Sequence, residues 1–284
     1  MEIQTLERKS IEYRRSILRI IKLAKAGHTG GSLSCVDILN VLYNQVLNVS
    51  PQNFNDPDRD RYIQSKGHSV EALYVVLAER GFISNEQLET IEQYQSDLIG
   101  HPSRKVPGIE HNTGALGHGL SVAVGMALAA KKDKRAYRVF ALLGDGELTE
   151  GSGWEAAMSA SHYGLDNLTA IVDRNGLQIT GKTEMVMRLE PLVDKYTAFG
   201  FAVREVDGNN LAALSEIFKQ LPFVPGKPSL VLAHTVKGKG ISFIENQVNW
   251  HHRVPTDEEY ATAMKELDQA EKEWQIRYAN TING

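Results

Sequence analysis

Asp145 and Asn175 stand 175 − 145 = 30 residues apart, each just past a short apolar run, and both side chains suit a hard cation. Gly144-Asp145-Gly146 follows the run 139–143, and Asp173-Arg174-Asn175-Gly176 follows the run 168–172. A carboxylate, an amide oxygen and a nearby backbone carbonyl favour Mg²⁺, with Ca²⁺ or Mn²⁺ as alternatives, and disfavour a soft metal. Two side chains cannot fill an octahedral shell, so phosphate oxygens are expected to complete it. Gly144 and Gly146 let the backbone come close to a bulky anion. The helix that follows adds N–H groups and the positive end of its dipole. The expected ligand is a diphosphate held through a metal.

Both acceptor residues need a scaffold that brings two chain segments to one rim. Continuous apolar runs of this length fit strands buried on both faces of a parallel sheet. The segment 150–163 between them reads as the crossover helix, and ligands of such sheets bind beyond the carboxyl ends of the strands. The fold class is therefore α/β, a parallel sheet flanked by helices. Further strands are expected over 61–64, 202–206 and 229–233. Helices are expected over 5–26 (ended by Gly27), 36–47, 70–79, 192–199 and 210–220. A helix over 84–94 carries Ser84 as N-cap and Gln87 at the capping-box position. Residues 112–120, Asn-Thr-Gly-Ala-Leu-Gly-His-Gly-Leu, precede a small-residue helix running to about Lys131 and form a second anion cradle. The charged helix over 256–278 reads as a surface helix or linker. The division is thus a body over 1–254 and a helical extension over 255–284. Lys237 and Lys239, in a Gly-containing stretch, read as a solvated loop.

With 284 residues and 42% hydrophobic composition the chain can build one large α/β domain. Its 31 basic and 35 acidic residues give a net charge of −4, and no basic cluster tracks a groove, so nucleic acid is not an expected partner. Cys35 is the single cysteine, which excludes an intrachain disulfide and suits a reducing compartment. The N-terminal stretch has no apolar signal core, and no run of about eighteen apolar residues would span a membrane. A cytoplasmic protein with no membrane role is the expectation.

His28, His68, His101 and His251 lie in Gly- or Pro-flanked stretches far apart in sequence, and no pair has the spacing of a zinc-binding helix. His28 falls in an expected loop, 28–34. Several neutral imidazoles around one cleft suit proton transfer and hydrogen bonding to hydroxyls. Each taken alone also fits a helix-terminal or loop histidine.

Gly-Asp-Gly with Asn about thirty residues on, across a βαβ crossover, resembles the thiamine diphosphate motif. The longer stretch GDGELTEGSGWEAAMSASHYGLDNLTAIVDRNGLQITG is similar to the transketolase family in particular. The resemblance runs along nearly the whole chain. AGHTGGSLS resembles the family's first active-site histidine loop, SKGHSVEALY its second, GHPS its third and WHHRVP its late one. TGALGHGLSVAVGMA resembles its cofactor-binding glycine loop.

The resemblance implies thiamine diphosphate as cofactor and transfer of a two-carbon glycolaldehyde unit from a ketose to an aldose. It implies that Asp145, Asn175 and the carbonyl of Leu177 hold the metal. Gly114, Leu116, Gly146, His68 and Asn175 would hold the cofactor, and Glu150 would join an acidic network between subunits. His28, His101 and His251 would handle substrate protons, with His252 as the alternative to His251. His118 departs from the glutamine common in the family. His28-Thr-Gly-Gly is a form associated with split transketolases. Because no second α/β domain follows before Gly284, a separate pyrimidine-binding chain is expected, most simply as an α₂β₂ assembly, acting on sugar phosphates. Another thiamine diphosphate enzyme, such as a 2-oxo-acid dehydrogenase α-subunit or a deoxyxylulose-phosphate synthase-like protein, is one alternative. A non-catalytic cofactor-binding subunit is the other. A Rossmann dehydrogenase is disfavoured by the lack of GxGxxG between a strand and a helix.

Overall fold

The computed structural model describes residues 1–282, with side chains through 279. In chain order the helices are α1 (Ile3–Ala24), α2 (Thr29–Val41), α3 (Val70–Glu79), α4 (Asn85–Leu88), α5 (Gly119–Lys132), α6 (Gly151–His162), α7 (Thr183–Val186), α8 (Leu192–Ala198), α9 (Leu211–Lys219) and α10 (Asp257–Ile282). The strands are β1 (Arg61–Gln64), β2 (Val139–Gly144), β3 (Leu168–Arg174), β4 (Leu177–Gln178), β5 (Gly181–Lys182), β6 (Ala202–Asp207) and β7 (Ser229–His234). Five strands form one parallel sheet in the order β1-β2-β3-β7-β6, while β4 and β5 pair as a small antiparallel ribbon.

The continuous apolar runs have the cause expected of them. Along β2, Phe140 and Leu142 enter a core cluster shared with α1, α2 and α3, while Val139, Ala141 and Leu143 enter one shared with α5, α6 and α8. Successive side chains point to opposite faces, so a strand covered on both sides must be apolar at every position. The register sets Gly144 opposite Asp173 and Asp173 opposite Ala233, which brings the ends of β2, β3 and β7 to one rim.

Three local expectations change. The loop placed over 28–34 is helical from Thr29, and every residue of α2 is buried. Gly30 and Gly31 explain how a helix fits there: a Cβ on Gly30 would lie 2.8 Å from the Trp250 carbonyl oxygen. The helix over 84–94 shortens to α4. Its capping box forms as expected, but Glu92 takes φ +59° and donates its N–H to the Leu98 carbonyl at 2.8 Å, which turns the chain back. Helix α1 ends at Ala24 through a left-handed Lys25, ahead of Gly27.

The last helix is no linker. It lies along α1, with Ala263 and Leu267 inside the same core cluster as Ile17 and Ile21. Trp274 donates its indole N–H to the Gln4 carbonyl at 2.9 Å, and Arg15 bridges Asp268 and Glu271 at 2.7 and 2.8 Å. The 254/255 division falls in backbone without helix or strand. Leu267 is 1% exposed, so Leu267→Ala should destabilise the chain by about 2–5 kcal/mol in urea unfolding. A change near zero would mean that α10 adds nothing to the core.

Candidate active site

A cavity of about 430 Å³ opens at the carboxyl ends of β1, β2, β3 and β7. Residues from each strand end line it: Lys66 and His68 after β1, Gly144 to Glu147 at the end of β2, Asn175 to Thr180 after β3, and Lys237 after β7. His28, Gly114, Leu116, Glu150 and His251 complete the wall. The structure therefore brings together Asp145, Asn175, Leu177, Gly146, Glu150, Gly114, Leu116, His28, His68 and His251 from six separate segments. His101 stands at the edge, its ring 6.1 Å from that of His28, and a Cβ on Gly114 would come within 3.3 Å of it. Gly114 has φ +140°, a region that glycine alone occupies readily.

One wall presents oxygen donors. Asp145 is 1% exposed, and its carboxylate accepts the N–H of Gly146 at 2.8 Å, the N–H of Gly176 at 2.6 Å and Arg174 Nη1 at 3.1 Å. Burial, and then the charge of Asp173, push its carboxyl above the usual range against those donors. A cation beside it would relieve that penalty. Asn175 Oδ1 accepts the N–H of Leu177 at 3.1 Å, which folds the segment so that the amide and the Leu177 carbonyl belong to one turn. Carboxylate, amide oxygen and carbonyl form a hard donor set that fits a small divalent cation.

The opposite wall is a histidine cluster. The His28 ring lies 5.2 Å from His68, 5.6 Å from His251 and 4.5 Å from His252. His251 and His68 are 5.2 Å apart. His251 lines the cavity and its Nδ1 is 2.8 Å from Lys237 Nζ, whereas His252 is exposed and outside the lining. Burial, followed by neighbouring imidazoles, draws the pKa of His28 down to about 3; burial and Lys237 draw His251 to about 3; burial and Lys66 draw His68 down as well. His28, His68 and His251 are therefore neutral at pH 7. His118 points away, with Nδ1 3.0 Å from the Leu116 carbonyl oxygen.

Sequence reasoning missed four groups. Lys237, read as a solvated loop residue, is 2% exposed, and its Nζ lies 3.3 Å from the Leu177 carbonyl oxygen. Burial and Lys66 bring its pKa to about 8. Lys66 and Asp173 form a buried ion pair beneath the cavity. Glu147 ties three loops, accepting from Ser65 Oγ, from Gly117 N–H at 2.9 Å and from Gly144 N–H at 3.0 Å. The one available signal was position: Lys66 lies two residues before His68, just past β1, and Asp173 two before Asn175, near the end of β3.

These features define the diphosphate-binding domain of an α/β thiamine diphosphate enzyme. The chain belongs to the transketolase family: the model of the transketolase thiamine diphosphate-binding domain matches residues 7–280. It is 50% identical over 269 residues to one of the subunits of the apulose-4-phosphate transketolase from Phocaeicola vulgatus, covering 95% of this chain and 96% of that one. It is 40% identical over 264 residues to the 6-deoxy-6-sulfo-D-fructose transketolase subunit SqwG of a Clostridium species, covering 91% and 96%. Among solved structures, the transketolase of Campylobacter jejuni superposes with a TM-score of 0.88 at 30% identity. That match covers 94% of this chain but 43% of the other, so the chain spans under half of that longer transketolase.

The depressed imidazoles carry a pH signature. The folded pKa of His28 and His251 lies below the 6.5 of the unfolded chain, so the unfolded state binds more protons as pH falls below 6.5. Stability should therefore be full above pH 6.5 and fall progressively towards pH 3. Thermal melts of the cofactor-free chain against pH would record this, and a double variant His28→Asn, His251→Asn should flatten the slope. An unchanged slope would place the titrating groups elsewhere.

Proposed function

We propose that this chain is the diphosphate-binding subunit of a two-chain transketolase, moving a two-carbon glycolaldehyde unit from a ketose phosphate to an aldose phosphate. The observation that carries the reading is the facing of two walls across one cavity, oxygen donors on one side and neutral imidazoles on the other. Asp145, Asn175 and the Leu177 carbonyl would hold Mg²⁺. Gly146, Gly114, Leu116, His68 and Asn175 would hold the diphosphate and the ring beside it, with Lys237 and Lys66 balancing its charge. When bound, thiamine diphosphate supplies the electron sink for breaking a carbon–carbon bond next to a carbonyl.

The protein's share is orientation and proton traffic. His28, His101 and His251, uncharged at neutral pH, can each accept a proton from a substrate hydroxyl and return it to an oxygen. Lys237, near its own neutral point and 2.8 Å from His251, can hold that ring's Nδ1 side and leave Nε2 for the substrate. Which tautomer is present follows from that contact. Glu150, exposed on the rim, is suited to a contact with a second subunit.

The two-chain reading rests on two supports. The relatives covered over 96% of their length are called subunits, and Ile179, which lines the cavity, is 70% exposed, with Met185 and Met187 further along the chain 83% and 60% exposed. The partner would be a pyrimidine-binding chain, in an α₂β₂ assembly. A relative acting on apulose 4-phosphate makes branched and modified ketose phosphates the first donors to test.

Asp145→Ala should abolish Mg²⁺-dependent thiamine diphosphate binding in calorimetry while circular dichroism stays native; retained affinity would remove the metal assignment. His101→Ala should lower turnover of a ketose donor by about 10²–10⁴-fold with a much smaller change in cofactor affinity. The chain purified alone should transfer no two-carbon unit, and co-expression with a pyrimidine-binding chain should restore transfer from ketose phosphates and not from pyruvate. Full activity in the isolated chain would refute the two-chain reading.

A further inference from the structure

Helix α3 carries Glu71 and Tyr74 at a spacing of three, with His68 three residues earlier just before it, and the two helical residues meet two different histidine segments. Glu71 is 2% exposed and does not line the cavity. Its Oε1 accepts the backbone N–H of His28 at 2.9 Å, and its Oε2 accepts the Ser32 hydroxyl at 2.7 Å. Tyr74 is fully buried. Its hydroxyl donates to the Ile99 carbonyl at 2.9 Å and lies 3.3 Å from the His101 carbonyl oxygen.

The Glu71 contact is unusual in kind. His28 occupies the N-cap position of α2, yet its own side chain caps nothing. A carboxylate from another helix instead accepts the backbone N–H of the N-cap residue itself, at the helix start where the dipole favours an anion. The chain makes room for it: Gly27 has φ +146°, and a Cβ there would lie 2.6 Å from Glu71 Oε1. Room, charge and hydrogen bond thus converge on the backbone of the residue that carries the central imidazole. Displacing that N–H moves the Cα of His28 and with it the ring, whose distances to His68 and His101 are 5.2 and 6.1 Å.

We infer that Glu71 is the positioning residue of His28, and that α3 sets the spacing of the histidine cluster by holding His28 through Glu71 and the His101 segment through Tyr74. The inference rests on the proposed proton-handling role of His28 for its kinetic consequence, but its geometric part does not.

The test uses the full chain with ¹³C-labelled histidine, in the cofactor-free form and in complex with a pyrimidine-binding chain. Glu71→Gln keeps an oxygen for the His28 N–H, and its amide can donate to the Ser32 hydroxyl. Glu71→Ala keeps neither, and Ser32→Ala removes the second contact alone. The His28 Cε1–H resonance, assigned by its loss in His28→Asn, should move in Glu71→Ala and stay near its wild-type position in Glu71→Gln and Ser32→Ala. In the complex, Glu71→Ala should lower kcat by about 10²-fold, the scale of a misplacement near 1 Å. Glu71→Gln should recover most of that, and the affinity for thiamine diphosphate with Mg²⁺ should barely change in any variant. If Glu71→Ala does not fold, Glu71→Asp, which keeps the charge and withdraws it by one methylene, decides the matter by the same resonance. An unmoved His28 signal in Glu71→Ala or Glu71→Asp overturns the inference, as do parallel losses of melting temperature and kcat in Glu71→Ala and Ser32→Ala. A wild-type complex that transfers no two-carbon unit overturns the proposed activity instead, and the resonance still decides the positioning.

Discussion

The buried pairing of Lys66 with Asp173 is the interaction on which the site depends. Asp173 belongs to β3 and Lys66 to the turn after β1, with β2 lying between those two strands. The carboxylate also accepts the hydroxyls of Ser34, at 2.6 Å, and of Thr235, and Lys66 Nζ donates to the Gly31 carbonyl at 3.2 Å. One ion pair thus joins β1, β3, β7 and α2 beneath the cavity. Burial disfavours both charges, but their mutual attraction and the added hydrogen bonds win: Lys66 is held above its usual range and Asp173 below. Such a pair is weak evidence for net stability, since desolvation offsets much of its attraction. Breaking it by removing one partner leaves a buried charge unpaired, at about 3–5 kcal/mol. Its effect here is to fix relative positions.

That arrangement also sets the electrostatics of the two walls. Lys66 and Lys237 lie under the imidazoles and add to burial in keeping His68 and His251 neutral. Arg174 reaches the other way, to Asp145 at 3.1 Å and to Glu184 and Glu190 at 2.9 and 3.0 Å. It links the oxygen-rich wall to α7 and to the segment after it. A neutral imidazole wall and an anionic oxygen-donor wall therefore coexist within one small cavity, because each buried charge has a specific partner.

The fold was largely legible. Short, mostly apolar runs of five or six residues, too short for a helix, fit strands covered on both faces, so β2, β3 and β7 were found, with Asp145 and Asn175 just past the ends of β2 and β3. Helix α3 matches the span of about 70–79 expected for it. Helix α2 was misplaced because Thr-Gly-Gly-Ser has poor helix propensity, and only tertiary burial makes it helical. The shortened α4 failed for the converse reason: its cap was correct, but a left-handed Glu92 set by the return towards Leu98 ended it.

What the sequence by itself determined is the local pattern: a pair of hard oxygen donors beyond two strands, a glycine-rich turn before a helix, and histidines in flanking motifs. Only the tertiary structure decided which charged side chains are buried. Lys66, Asp173, Glu147, Lys237 and Glu71 carry no periodic signal, since a buried charge is permitted only by a partner that arrives from elsewhere in the chain. Between Lys66 and Asp173 that separation is 107 residues, and between Glu71 and His28 it is 43. Pairings over such distances are made by packing the helices on the sheet, and no stretch of sequence contains them.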